Sequence, residues 1–141
     1  MEFPKVDLEK VDPSTYTITY LHGGKDKLGE SPTWHPGMQK FFWSDVHGSK
    51  IFSLELPADG SVATDANITE YAVTNMVSGM APKEGSGFVC VFKDHGFGTL
   101  DFNDDGTVKE TLFGLKPEMT EENGVVFNDA KCSPDGRFFA G

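Results

Sequence analysis

The sequence predicts an all-β chain, built as part of a β-propeller of four-stranded antiparallel blades. Three observations point there. Glycine-centred turns recur at Gly37, Gly85 and Gly136, a period of roughly 50 residues that suits one blade. Between the turns, apolar and polar residues alternate with the strand period of two. The helical period of 3.6 never persists over three turns, so no long helix is expected. A β-sandwich with coincidental turn spacing is the competing architecture, because sandwiches also place a turn about every 8–12 residues.

The elements follow in chain order. Tyr16-Thr17-Ile18-Thr19-Tyr20 alternates like a strand but has no blade of its own. Over 15–20 it is expected to complete the last blade of a closed ring and so hide two sheet edges. The first unit opens at Ser31 and turns through Gly37. It returns as a strand over 41–46, turns at His47-Gly48-Ser49, and continues as a strand over 50–56. In that strand Ile51, Ser53 and Glu55 alternate with Phe52, Leu54 and Leu56. Pro57-Ala58-Asp59-Gly60 turns again, and 68–73 reads as the fourth strand. The second unit opens at Ser78 and repeats the plan with strands over 88–92, 98–102 and 108–113. Its turns fall at Gly85, His95-Gly96 and Asn103-Asp104-Asp105-Gly106. A third unit begins at Asn128, turns at Gly136 and runs to Gly141. Glycine is expected in each of the three matched hairpins because a short hairpin demands a positive φ at one position.

This gives one domain over 1–141: a first blade over about 28–73, a second over about 74–122, and the start of a third over 123–141. Propellers close with about four to eight blades. The 141 residues are therefore expected to be the N-terminal part of a larger ring, and alone neither to close it nor to turn over substrate.

Composition narrows the partners. With 22 acidic and 12 basic residues the net charge is −10, which repels phosphate backbones and argues against nucleic acid while favouring cations. The N-terminus has no basic segment followed by an apolar run, and no stretch approaches the roughly 20 apolar residues of a membrane-spanning helix. The two cysteines, Cys90 and Cys132, sit in strand-like runs and are expected to be buried free thiols. A cytoplasmic protein with no membrane partner is the simplest expectation; the oligomeric state is left open.

Several motifs carry little chemistry. Ser31 precedes a proline without a Gly-x-Ser-x-Gly elbow, so a serine nucleophile is not expected. Gly85-Ser86-Gly87 has no helix after it and is not a phosphate loop. His22, His35, His47 and His95 lack zinc-ligand spacing. Asp45 is read as a structural carboxylate that bonds a turn.

Three segments carry a family resemblance. They are Leu28-Gly29-Glu30-Ser31-Pro32-Thr33-Trp34, the piece Phe42-Trp43-Ser44-Asp45-Val46 with the strand after it, and the gapless run from Phe127-Asn128-Asp129 through Pro134-Asp135-Gly136-Arg137 to Ala140-Gly141. Together they resemble the SMP-30/gluconolactonase/luciferin-regenerating-enzyme family, regucalcin included. The resemblance implies a six-bladed propeller, of which this chain holds the first two and a half blades. It also implies a divalent metal at the mouth of the central channel. Glu30 would be a metal ligand, Asn128 would contact substrate, and Asp129 would orient its neighbours. The remaining ligands and the catalytic base would lie beyond Gly141, leaving no catalytic residue within this chain. Oxygen ligands suit calcium first, with magnesium, manganese or zinc as alternatives.

The implied function is a metal-dependent hydrolase of a small-molecule lactone or ester. A non-catalytic calcium-binding or scaffold propeller is the alternative, as is an organophosphate or luciferin-related hydrolase. Two positions depart from the family pattern. Val126 stands where the family has an arginine that holds polar sugar-acid substrates, and Ala130 stands where it has glycine.

Overall fold

The computed structural model of the chain describes residues 12–15, 19–114 and 124–141. Within them the chain is all-β. The first sheet runs in the order β1 (Gly29–His35), β2 (Lys40–Asp45), β3 (Lys50–Glu55), β4 (Ile68–Ala72). The second repeats the order with β5 (Val77–Pro82), β6 (Phe88–Phe92), β7 (Gly96–Phe102) and β8 (Val108–Leu112). A third, two-stranded sheet pairs β9 (Ala130–Cys132) with β10 (Phe138–Ala140). All pairings are antiparallel. Among the described residues the only helical pieces are three-residue 3-10 turns. The expected closing strand over 15–20 includes residues 16–18, which lie outside the described residues.

Strand alternation builds the core. In β2, Phe42 and Ser44 are fully buried against the second sheet. Phe41 and Trp43 occupy the opposite face, where Trp43 stacks on Phe52 with ring centroids 5.2 Å apart. Phe42 meets Phe88 of β6 edge to face at 5.0 Å. β6 is covered on both sides, which accounts for its unbroken apolar run. Phe88, Cys90 and Phe92 join Phe42, Ile51, Val77, Met80 and Leu100 between the two sheets. Val91 points the other way, to Phe127 and Ala130 of the third unit. Each large side chain so buried contributes about 1.5–3 kcal/mol.

The first strands of successive sheets lie side by side, β1 against β5 and β5 against β9, while β4 and β8 form the far edges. This radial arrangement of antiparallel sheets is that of propeller blades.

Two sequence expectations need correction. Gly85 and Gly136 do take positive φ, +83° and +85°, but Gly37 does not; in the first hairpin Gln39 adopts the left-handed conformation, at +52°. Gly37 is small for another reason: a Cβ there would sit 2.6 Å from the Gly85 carbonyl oxygen. The two hairpins press together at this point. Buried His35 joins them: its Nε2 lies 2.8 Å from the Gly87 carbonyl and its Nδ1 accepts the Met38 N–H. Those two bonds call for the neutral ring with its proton on Nε2.

The second correction concerns the thiols. Cys90 is buried, and burial pushes its thiol well above the ordinary range, with the charges of Glu110 and Asp101 adding to the shift. Cys132 is exposed, because β9 turns only Ala130 toward the second sheet.

Candidate functional site

The first strand of each complete sheet is interrupted at the same place. Regular pairing of β1 with β2 breaks between Glu30 and Thr33, and pairing of β5 with β6 breaks between Val77 and Gly79. Such bulges bend a strand and re-aim its side chains. In β1 the bulge centres on Ser31, which is 3% exposed and takes φ +55°, a left-handed conformation uncommon for a residue with a Cβ.

Three side-chain hydrogen bonds hold it. The Ser31 hydroxyl accepts the Met80 N–H of β5 at 3.0 Å. Thr33 Oγ1 donates to the Ser31 carbonyl at 3.0 Å, and Ser44 Oγ donates to the Glu30 carbonyl at 3.2 Å. The Glu30 backbone is thus fixed, while its half-buried carboxylate has no hydrogen-bond or ion-pair partner among the described residues.

Asp45 pairs with the start of the same strand and serves a different end. Its Oδ1 accepts the N–H groups of Leu28 and Gly48, each at 3.0 Å. Burial raises its pKa, but backbone N–H groups of Leu28, Lys27 and Gly48 and the charge of Lys27 outweigh that effect, so the carboxyl lies below its ordinary range. This matches the structural role expected for it.

The other candidate residues precede β9. Asn128 and Asp129 are exposed, and their N–H groups donate to the Gly141 carbonyl at 2.7 and 3.3 Å. Asp129 Oδ1 accepts the Ala130 N–H at 2.7 Å, so this carboxylate stiffens the turn into β9. The Asn128 amide has no side-chain partner among the described residues. Buried Phe127 anchors the segment to the second sheet, donating its N–H to the Lys93 carbonyl at 3.2 Å. Val126 is 39% exposed and presents an apolar surface.

The strands carrying these residues meet through β5. Ser31 touches Met80 on one side, and Gly79 touches Ala130 on the other. A Cβ at Gly79 would lie 2.5 Å from the Ala130 nitrogen and 2.6 Å from its Cβ. Glu30 is one residue from the first contact; Asp129 and Asn128 are one and two residues from the second. Ser31 and Gly79 were not picked from the sequence as site residues. Their signal lay in the repeat, because Ser31-Pro32, Ser78-Gly79 and Asn128-Asp129 open the three matched segments. Among the described residues no three His, Cys, Asp or Glu side chains converge.

Radially arranged antiparallel sheets that meet at their first strands define a β-propeller protein. A solved structure of luciferin-regenerating enzyme shares this fold: it matches 83% of this chain and 36% of its own length, with a TM-score of 0.56 and 20% identity. The profile of the SMP-30/Gluconolactonase/LRE-like region matches residues 28–141, and the chain belongs to that family.

Among curated relatives, regucalcin of Danio rerio is 26% identical over 117 residues, covering 83% of this chain and 35% of its own. Pentonolactonase XacC of Haloferax volcanii is 27% identical over 128 residues, 89% of this chain and 38% of its own. The 6-deoxy-6-sulfogluconolactonase of Pseudomonas putida is 32% identical over 114 residues, 81% of this chain and 35% of its own. The chain thus spans little more than a third of the length of these relatives.

A divalent ion is compatible with the donors present. Half-buried Glu30 offers, on a fixed backbone, a carboxylate free of partners among the described residues, and exposed Asn128 offers an amide oxygen. Both are hard oxygen donors. An ion of this class takes six or more oxygens, so these two residues alone would not complete its shell.

Proposed function

We propose that this chain forms the opening part of a divalent-metal-dependent lactone hydrolase, with blades over about 28–73 and 74–122 and a third beginning at 123. One observation carries the reading. The backbone at Glu30 is immobilised by a strained, hydrogen-bonded bulge, yet its carboxylate is left without a partner among the described residues. Strain of this kind persists where a side chain must be held for use.

In this reading Glu30 ligates the metal, with calcium the first choice and magnesium, manganese or zinc as alternatives. When bound, the ion supplies Lewis acidity to the substrate carbonyl. Asn128 presents its amide to the substrate, and Asp129 holds the turn that carries it. Val126 faces solvent where a sugar-acid substrate would meet an arginine, which favours a lactone or ester less polar than a sugar acid. The free thiols suit a cytoplasmic setting.

The test is lactone hydrolysis by the protein at its natural length, before and after chelation. Activity is expected to vanish with chelator and to return with calcium or another divalent ion. Hydrolysis that resists thorough chelation would overturn the metal-dependent reading.

A further inference from the structure

We infer that Ser31 is the positioning residue of this site: its left-handed backbone aims the Glu30 carboxylate, and its hydroxyl locks that aim to the second sheet. The inference rests on the reading of Glu30 as a ligand.

Ser31 has few backbone states open to it. Pro32 follows it, and a proline disfavours the right-handed helical region for the residue before it. Two states remain, extended and left-handed. In the extended state β1 would run on without its bulge, shifting the register by one and carrying Glu30 to the opposite face of the sheet. At φ +55° the bulge exists and Glu30 keeps its present direction. The two states of one residue therefore correspond to two directions of the carboxylate.

An L-residue does not choose the left-handed state unaided. Here the choice is made by contacts on both sides. The buried Met80 N–H needs an acceptor, and the Ser31 hydroxyl supplies it at 3.0 Å. The Ser31 carbonyl takes the Thr33 hydroxyl and the Glu30 carbonyl takes the Ser44 hydroxyl. The Met80 bond is the one that crosses between sheets. It links the direction of Glu30 to β5, where the preceding residue, Gly79, packs on the strand leading from Asn128. Ser31 thereby sets Glu30 relative to the blade that positions Asn128.

Two substitutions separate the backbone from the hydroxyl. Ser31→Ala keeps the aversion to positive φ and removes the bond that overcomes it. Ser31→Gly removes both, leaving the left-handed state freely accessible. The protein at its natural length would be titrated calorimetrically with Ca²⁺, and hydrogen exchange followed at the Met80 amide. Ser31→Ala is expected to weaken Ca²⁺ binding by about 10-fold or more. Ser31→Gly should restore affinity to within about 3-fold of the parent, while the Met80 amide exchanges fast in both variants. A purely structural serine would give no such split. The proposal is overturned if Ser31→Ala binds Ca²⁺ like the parent, or if both variants lose affinity equally.

Should the parent itself bind no Ca²⁺, the metal reading of Glu30 fails, and the Glu30 carboxyl ¹³C resonance decides the positioning role. A signal displaced in Ser31→Ala and retained in Ser31→Gly supports it. A signal unmoved in both overturns it.

Discussion

The two ends of the candidate site are built in different ways. Glu30 sits within a complete four-stranded sheet, on a bulge bonded to its own sheet through Ser44 and to the next through Met80. Asn128 leads into a two-stranded hairpin, and its segment is secured by the Phe127 backbone bond to Lys93, the apolar contacts of Val91 and the turn to Gly141. Glu30 is thus held from two sides, while the Asn128 segment leans on the second sheet, through β5 and β6. The fidelity of the site depends on the middle sheet, which touches both.

Both ends depend most heavily on the core of that middle sheet. Phe88 is fully buried and meets Phe42, His35 and Phe102. Phe88→Ala should cost about 3–5 kcal/mol, enough to loosen both ends together. Chemical denaturation monitored by Trp34 and Trp43 fluorescence measures the loss.

A subtler change should separate the two ends. Gly79→Ala places a methyl group against Ala130 and should cost about 1–3 kcal/mol through overpacking. Amide shifts are expected to move at residues 127–132 far more than at Thr33–His35. Equal perturbation at both ends would mean that β5 and β9 do not form a local lever.

The smallest effect concerns the Glu30 end alone. Asp45→Asn keeps the shape but weakens the bonds from the Leu28 and Gly48 N–H groups, costing about 1 kcal/mol at neutral pH. The folded-state pKa of Asp45 is depressed, so its contribution is present above the unfolded value near 3.8 and is lost as pH falls through the lower folded value. The difference between parent and variant should therefore shrink below about pH 4. A difference that stays constant down to pH 2 would remove the ionised carboxylate from the explanation.

These cases show what the chain discloses unaided. The turn glycines marked the hairpins and so placed Phe42 and Phe88 in the strands that follow them, while alternation over 50–56 marked another strand by its period of two. The sheets followed from such local signals. What escaped were contacts between sheets. Gly37 looks like a turn glycine and is one in position, but the carbonyl of Gly85 is what keeps it small. Gly79 lies in a strand where period alone would accept any residue. Cys132 looked buried because its run is strand-like, yet β9 has only one covered face. Glu30 and Asn128 entered through the family resemblance, because periodicity says nothing of the chemistry of a polar side chain in a loop or bulge.

The most direct test of the account is the paired measurement of ion affinity and thermal stability in Glu30→Gln, at the protein's natural length. The carboxylate has no partner among the described residues, so its loss should leave the melting temperature within about 1–2 °C of the parent. Ca²⁺ affinity should meanwhile fall by roughly 100-fold. Unchanged affinity, or a loss of affinity matched by a fall in melting temperature, would contradict the claim that this bulge exists to hold a ligand.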